Sequence, residues 1–391
     1  MVRHDVVPDA IPGVFGQVLA VRRGKGTHEQ QLTGGVNSSS SSSSSSSTPT
    51  DALVRSPLAL PPVRSSGGRG DGAEFRDHRE RKAGTHSSSL AVPVPVPVAV
   101  TPPPHPHPLT PPPPPFLQYV LHVDPQRGIK EYRSFDTVDG LYDCAWSEEN
   151  ENILVSASGD GSIKAWDVDA NMNPLRSFEE HTHEVYALSW NTIRKDCFLS
   201  ASWDDTIKLW NLRAPRSLRT FAGHSYCVYA AQWNPREADV FLSASGDCTV
   251  KVWDVRQAGP TLSVRAHDHE VLAADWCKYN DCILATGSVD KTIKVWDVRM
   301  PNRELAVLGG HTYAVRKVVF SPWSPTVIGS CGYDMSVRLW DYRSQNPLLR
   351  VWGHHSEFAV GMDFSSLREG LVASCGWDGR TSVWGQDAVR V

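Results

Sequence analysis

Serine, histidine and aspartate recur in the second half of the chain at fixed distances, and these residue types carry out nucleophilic hydrolysis in many enzymes. His181 precedes Ser200 by 19 residues, and Asp204 follows four residues later. In hydrogen-bond contact, such a set can activate the hydroxyl as a nucleophile. The same spacing returns in four further copies, which end at Asp247, Asp290, Asp334 and Asp378. Because one reaction needs one site, five copies argue against catalysis and favour a structural role.

Other reactive residue types show no pattern typical of a metal or cofactor site. The eight cysteines are scattered without a CxxC pair, which favours neither zinc nor disulfides and fits a reducing compartment. No phosphate-binding loop, HExxH sequence or paired acid and base set occurs outside the repeated residues. We therefore predict no enzymatic activity, no metal and no cofactor.

Charge and hydropathy argue against two further classes of partner. Of the 391 residues, those from 116 onward contain 28 Lys and Arg against 35 Asp and Glu, so no basic surface for nucleic acid is expected. No apolar run approaches the roughly 20 residues that a membrane helix needs. Asp5 and Asp9 stand where a secretory signal would be basic and then apolar. We expect neither nucleic-acid binding nor insertion into a membrane.

A tryptophan six residues after each aspartate completes an internal repeat. Successive tryptophans are 43 or 44 residues apart: Trp166, Trp210, Trp253, Trp296, Trp340 and Trp384. Stretches such as Ile207–Trp210 alternate apolar and polar residues, which is typical of half-buried strands. Thr137 replaces the histidine in the first repeat, so that repeat should be less rigid. Each repeat is predicted to form four short strands, in an all-β fold.

The first 115 residues differ in composition from the repeats. They contain 19 of the 28 prolines, none of the tryptophans and an unbroken serine run over Ser38–Ser47. Such a composition cannot bury enough apolar surface to offset the conformational entropy of the chain. We predict a disordered low-complexity segment over 1–115, with strand character only at 14–21, followed by one folded domain over 116–391.

Only half of another repeat precedes the six complete ones. The stretches 118–123 and 128–135 are predicted to be its third and fourth strands. The stretch 14–21 would supply one missing strand across a loop whose closure costs only a few kcal/mol. The alternative is that 1–115 is not the natural start of the chain. The sequence leaves open whether six or seven units close the fold.

The repeat resembles the WD40 repeat, in which about 40–45 residues form one four-stranded blade of a β-propeller. The resemblance implies a WD40 β-propeller with six clear blades and a partial seventh. It also implies that the histidine, hydroxyl, aspartate and tryptophan of a blade form a hydrogen-bonded tetrad that satisfies a buried carboxylate. The implied tetrads are His181, Ser200, Asp204 and Trp210; His224, Ser243, Asp247 and Trp253; His267, Thr286, Asp290 and Trp296; His311, Ser330, Asp334 and Trp340; His355, Ser374, Asp378 and Trp384.

Longer segments resemble one branch of the WD40 proteins. SASWDDTIKLW (200–210), YNDCILATGSVDKTIKVWDVR (279–299) and EFAVGMDFS (357–365) are similar to the seventh-peroxin family, the cytosolic receptors for the type 2 peroxisomal targeting signal. The resemblance covers about residues 130–385. It implies binding of an N-terminal cargo nonapeptide and a co-receptor of the fifth-peroxin type. It also implies delivery to peroxisomal docking proteins, with the receptor cycling between cytoplasm and peroxisome.

Candidate peptide-binding residues lie on the face formed by the turns before the first strand and between the second and third strands. Aromatic residues clustered on one face suggest a binding surface, although some of them can instead fill the top of the ring. Glu184 and Glu270 are the candidates for the basic residue of the signal, and Asp139 lies near the same rim. The candidates for its apolar stripe are Tyr186, Trp203, Tyr229, Leu272, Tyr333 and Trp377.

Two other functions remain open at this stage. The segments 253–256, 296–299 and 340–343 match the WDxR box of substrate receptors of cullin-4 ubiquitin ligases, a box that WD40 repeats often contain. A scaffold that binds histones or RNA is the second alternative, and the acidic repeat region argues against RNA.

Overall fold

The computed structural model describes residues 19–21, 54–55, 116–124, 128–170 and 173–385, and every regular element among them is a β-strand. The all-β propeller predicted from the repeats is confirmed. Within 1–115, which was predicted to be disordered, the structure describes only 19–21 and 54–55, and both form strands. The prediction of strand character only at 14–21 is therefore wrong for 54–55. The other residues of 1–115, including the first part of the 14–21 stretch, lie outside the described residues. The first four strands are β1 (Leu19–Val21), β2 (Val54–Arg55), β3 (Phe116–Asp124) and β4 (Gly128–Thr137).

The remaining strands form six blades, numbered 1 to 6 along the chain. Blade 1 contains β5 (Leu141–Trp146), β6 (Ile153–Ser158), β7 (Ile163–Asp167) and β8 (Arg176–Phe178). Blade 2 contains β9 (Val185–Trp190), β10 (Phe198–Ser202), β11 (Thr206–Trp210) and β12 (Arg219–Ala222). Blade 3 contains β13 (Val228–Trp233), β14 (Val240–Ser245), β15 (Thr249–Asp254) and β16 (Pro260–Arg265).

The second three blades repeat this order. Blade 4 contains β17 (Val271–Trp276), β18 (Ile283–Ser288), β19 (Thr292–Asp297) and β20 (Ala306–Gly309). Blade 5 contains β21 (Val315–Phe320), β22 (Val327–Gly332), β23 (Val337–Asp341) and β24 (Leu348–Trp352). Blade 6 contains β25 (Ala359–Phe364), β26 (Leu371–Gly376) and β27 (Arg380–Gly385), and β2 pairs with β27 as its fourth strand.

Residue type explains why the second strand of a blade lies in the core. In β10 all five residues, from Phe198 to Ser202, are buried, because small and apolar side chains let blades approach on both of its faces. The third strand alternates instead: in β11 Ile207 and Leu209 are buried, whereas Lys208 reaches outward. Successive blades pack through the first strand of one blade, which lies against the first and second strands of the blade before it.

Aromatic side chains bridge neighbouring blades. Phe178 on the outer strand of blade 1 lies 5.0 Å from the ring of Trp210 in blade 2, and Phe221 lies 5.9 Å from Trp253 in the same way. The innermost strands are also joined, because Trp276 Nε1 donates a hydrogen bond to the carbonyl oxygen of Gln232 at 3.2 Å. The equivalent indole nitrogen of Trp146 in blade 1 is buried and has no acceptor within the described part of the chain.

A three-stranded sheet, called here the short sheet, stands where a seventh blade would be. β3 and β4 pair antiparallel, whereas β1 pairs with β3 in parallel, unlike neighbouring strands of blades 1 to 6. The short sheet packs on blade 1, where Phe135 stacks on Trp166 with ring centroids 4.8 Å apart. It corresponds to the outer half of a blade.

Blade 6 is less covered than the other blades. Ala373, Cys375 and Val383 are only partly buried, whereas residues at the same positions of blades 1 to 5 are buried. In blade 5, for example, Cys331 and Leu339 are buried at the positions of Cys375 and Val383. The difference follows from the short sheet, whose strands do not reproduce the inner half of a blade.

Replacing Phe135 with alanine is expected to destabilise the protein by about 3–5 kcal/mol, because this fully buried ring joins the short sheet to Trp166. The measurement is the urea midpoint of unfolding followed by tryptophan fluorescence. Leu367→Ala is the control, since Leu367 is 67% exposed and should change the midpoint little. Equal effects of the two substitutions would contradict the packing of the short sheet on blade 1.

Candidate functional site

The structure brings the predicted tetrad residues into one hydrogen-bond chain in each of blades 2 to 5. In blade 2 His181 Nδ1 lies 2.7 Å from Asp204 Oδ2, and His181 Nε2 lies 2.7 Å from Ser200 Oγ. Trp210 Nε1 donates to the same Ser200 Oγ at 2.8 Å. The chains of His224, His267 and His311 have the same partners at 2.7–3.1 Å.

This geometry is unsuited to nucleophilic attack. Ser200 is fully buried, and its oxygen already accepts the indole N–H of Trp210. A substrate carbonyl therefore cannot approach the oxygen. The chain instead ties the turn before the first strand to the middle of the blade, which is a structural role.

The chain departs from this pattern at both ends of the repeat array. In blade 1 Thr137 donates to the carbonyl oxygen of Asp139 at 3.1 Å and does not reach Asp160, whose carboxylate accepts the backbone N–H of Ser162 at 2.8 Å. In blade 6 His355 lies 3.2 Å from both carboxylate oxygens of Asp378, and the buried Trp384 Nε1 has no acceptor among the residues that the structure describes.

The tetrad carboxylates are strongly stabilised as anions. Burial by itself would raise the pKa of Asp290, but hydrogen bonds from His267 and Thr292 outweigh it and lower the pKa to about 2. The pKa values of Asp204, Asp247 and Asp334 are lowered still further by the corresponding histidine and hydroxyl donors. These carboxylates therefore stay ionised through the physiological range.

The predicted peptide-binding residues form two aromatic groups. In the first group, which we call the tyrosine cluster, Tyr186 stacks on Tyr142 at 5.2 Å and on Trp203 at 5.7 Å, and Tyr229 meets Tyr186 edge-on at 5.1 Å. Tyr186 and Trp203 are 3% and 6% exposed, so their rings contact each other more than solvent. Among the described residues, the buried Trp203 Nε1 has no acceptor.

The second group lies on blades 5 and 6. Tyr333 lies 5.8 Å from Trp377, and Phe358 lies within 4.8 Å of both rings. Phe358 is not among the predicted binding residues, although it stands three residues after His355, as Glu184 stands three residues after His181. Leu272, on blade 4, is 5% exposed.

Acidic side chains surround the tyrosine cluster. The hydroxyl of Tyr229 donates to Glu270 Oε2 at 3.0 Å, and burial raises the pKa of Glu270 although this bond opposes the effect. Burial, the neighbouring hydroxyl of Tyr186 and the negative charges of Glu184 and Asp139 together raise the pKa of Tyr142 far above its usual value. Glu184 and Glu270 are half-buried, so a cation that reached them would be partly desolvated.

A cavity of about 680 Å³ joins the two aromatic groups. Its walls include Tyr142, Tyr186, Tyr229, Leu272, Tyr333 and Trp377, together with Arg316. Arg316 reaches from blade 5 to blade 2, where its guanidinium lies 4.4 Å from the ring centroid of Tyr186. Arg316 follows His311 by five residues, as Tyr186 follows His181, but this spacing gives no sign that the side chain crosses to another blade.

Comparison with known proteins identifies the repeat. The family described as WD40, WD domain, G-beta repeat matches residues 130–167, 172–211, 215–254, 259–297 and 302–341, about half of the chain. The chain belongs to the WD40-repeat family. The sixth repeat lies outside the matched segments, yet the structure folds it into blade 6.

Among curated proteins, the WD40 chain is similar to several that share one name. It is 58% identical over 73 residues to the peroxisomal targeting signal 2 receptor of Dictyostelium discoideum, and 46% identical over 70 residues to the protein of that name in Homo sapiens. It is 55% identical over 73 residues to peroxisome biogenesis protein 7 of Arabidopsis thaliana. These alignments span 18% of this chain and 22–23% of each relative, so the matched part is less than a quarter of the relatives' length.

The WDxR arginines lie at the other end of the WD40 blades from the tyrosine cluster. Each arginine follows the third strand of its blade. That strand begins on the side of the blade where the tyrosine cluster lies and ends at the opposite face. Arg256 pairs with Asp254 at 2.7 Å and Arg299 with Asp297 at 2.6 Å, and both guanidinium groups are mostly exposed. Within the described residues no helix is long and apolar enough to cross a membrane, and no group of three metal-ligating side chains has binding geometry.

Acidification should weaken the fold through the tetrad carboxylates. Because the folded pKa of Asp290 lies below the value of about 3.9 expected for unfolded aspartate, its stabilisation is complete above that pH and is lost as the pH falls towards 2. Asp290→Asn should destabilise the protein by about 1–3 kcal/mol at pH 7 and reduce the slope of stability against pH between 4 and 2.

The measurement is chemical unfolding at a series of pH values. Glu304→Gln is the control, because Glu304 is exposed and should leave the slope unchanged. An Asp290→Asn slope equal to that of the unsubstituted protein would contradict the role given to this carboxylate.

Proposed function

We propose that this WD40 protein is a receptor for the type 2 peroxisomal targeting signal, a binding protein and not an enzyme. The observation that carries the proposal is the identity of up to 58% with proteins named as receptors for that signal. The geometry also supports it. The cavity has aromatic walls, and Glu184 and Glu270 form what we call its acidic border. Such a surface suits an amphipathic peptide that carries a cation. The buried serines of the tetrads support binding over hydrolysis.

In this proposal the acidic border binds the basic residue of the signal. Glu184 is half-buried and lacks a hydrogen-bond donor among the described residues, whereas Glu270 already accepts the hydroxyl of Tyr229. An arriving guanidinium would form a charge-assisted hydrogen bond with either carboxylate, and such bonds are stronger than neutral ones. The apolar side of the peptide would then cover Tyr229, Leu272, Tyr333 and Trp377, with Tyr186 and Trp203 supporting these rings from below.

The same proposal assigns partners and location. The receptor collects cargo in the cytoplasm, a co-receptor of the fifth-peroxin type covers the exposed side of the signal, and peroxisomal docking proteins receive the complex. The receptor cycles between cytoplasm and peroxisome without entering the bilayer and without binding nucleic acid.

Charge reversal at the border should abolish recognition of the basic residue. The double variant Glu184→Lys, Glu270→Lys is expected to bind a fluorescent type 2 signal peptide at least tenfold more weakly, because two attractive contacts become repulsive. Fluorescence anisotropy with the full chain measures the affinity. A peptide whose leading arginine is alanine should bind the unsubstituted protein weakly and should not distinguish it from the double variant.

The matched control is Glu237→Lys, since Glu237 is exposed in a turn at the opposite end of blade 3. Unchanged affinity of the double variant for the arginine peptide would refute the acidic border as the recognition site. Failure of every peptide to bind, with retention of the cullin-4 adaptor in a pulldown, would favour the ligase function.

A further inference from the structure

Arg316 is an arginine inside the cavity without a polar partner. In the part of the chain that the structure describes, none of its N–H groups meets a hydrogen-bond acceptor, and its one close contact is the face of Tyr186 at 4.4 Å. Two other arginines that cross between or along strands are bonded: Arg176 donates to the carbonyl oxygen of Leu212 at 2.8 Å, and Arg338 reaches Asp334 at 3.1 Å. Arg316 therefore keeps five free donors in a half-buried position.

The carboxylates that line the cavity, Asp143, Asp275 and Asp363, already accept backbone N–H groups. Asp143 accepts the backbone N–H groups of Leu188 and Cys144, both at 3.0 Å. The charge of Asp143 is also the main factor that raises the pKa of Lys317, the neighbour of Arg316. For Arg316, burial lowers the pKa, and the side chains of Tyr186, Tyr333 and Cys331 outweigh it ahead of the more weakly acting Asp143. Arg316 therefore lies mainly among aromatic walls formed by Tyr186 and Tyr333.

Position and chemistry together define what Arg316 can bind. A planar guanidinium with a fixed fork of donors matches a carboxylate in a bidentate way. Its stacking on Tyr186 holds the plane of the fork in place, which reduces the entropy lost on binding. A dianion such as a phosphate group would be opposed by Glu184 and Glu270 at the border, so a singly charged carboxylate fits better.

We propose that Arg316 is a carboxylate-binding site, which takes an aspartate or glutamate side chain of the peptide seated on this face. This inference rests on the proposed function, because it assumes that a peptide occupies the cavity. It adds a second recognition element: the border selects a cation, and the centre selects an anion in the segment that follows. Opposite charges at border and centre would fix the direction in which the peptide lies.

The test uses nonapeptides with a leading Arg-Leu, a final His-Leu and five central alanines. Glutamate or glutamine replaces each central alanine in turn, and anisotropy gives ten affinities with the full chain. At one of the five positions glutamate should bind about tenfold more tightly than glutamine. Arg316→Gln should abolish that difference, Arg316→Lys should keep part of it, and the control Arg303→Gln, an exposed position, should keep all of it.

A second measurement separates this inference from the proposed function. Titration of the full chain with glutarate, against sodium chloride of equal ionic strength, is followed through the Nε–H resonance of Arg316 in nitrogen-15 spectra. A shift of this resonance that is absent for the Arg303 resonance supports the site even if no signal peptide binds. Equal affinities for every glutamate and glutamine pair, or no shift with glutarate, would overturn the proposal.

Discussion

The buried hydrogen bond between histidine and aspartate is the interaction on which blades 2 to 5 depend. It joins a turn at one end of the blade to a carboxylate between the second and third strands, and the histidine passes the connection to a hydroxyl and an indole in the core. Burying this carboxylate without its partners would cost several kcal/mol of folding free energy, so each of the four residues depends on the other three. Because the chain fixes the turn before the first strand, it also fixes the direction of the side chains that line the central cavity.

The tetrad hydrogen bonds are longer or missing in the blades on either side of the short sheet. His355 is 3.2 Å from Asp378, longer than the 2.7–2.9 Å of blades 2 to 5, and Trp384 leaves the hydroxyl of Ser374 without an indole donor. The same blade has the partly uncovered Ala373 and Cys375, and on the other side of the short sheet Trp146 lacks an acceptor. Packing between blades and hydrogen bonding within them therefore vary together, as expected for units that cannot bury their faces alone.

Repeat spacing predicted the fold well because both the strand period and the tetrad depend on local distances along the chain. Strands β3 and β4 were likewise predicted, over 118–123 and 128–135. By contrast, β2 contains only Val54 and Arg55, and two residues carry no period, so its pairing with β27 was not predictable. The candidate site was likewise predicted only in part. Spacing located Tyr186 and Trp203 on one face, but their burial results from contacts among rings of three blades at the cavity. Arg316 crossing to Tyr186 is a contact between residues 130 positions apart, which no local pattern contains.

Photo-crosslinking tests the central claim, recognition of the signal at the acid-bordered aromatic cavity, most directly. A type 2 signal peptide with a benzophenone residue beside its leading arginine would be irradiated with the full chain, and the linked residues would be identified by mass spectrometry. The account predicts links to the tyrosine cluster and its border, near Glu184, Tyr229 and Glu270. Links concentrated at the opposite end of the blades, around Arg256 and Arg299, would contradict it.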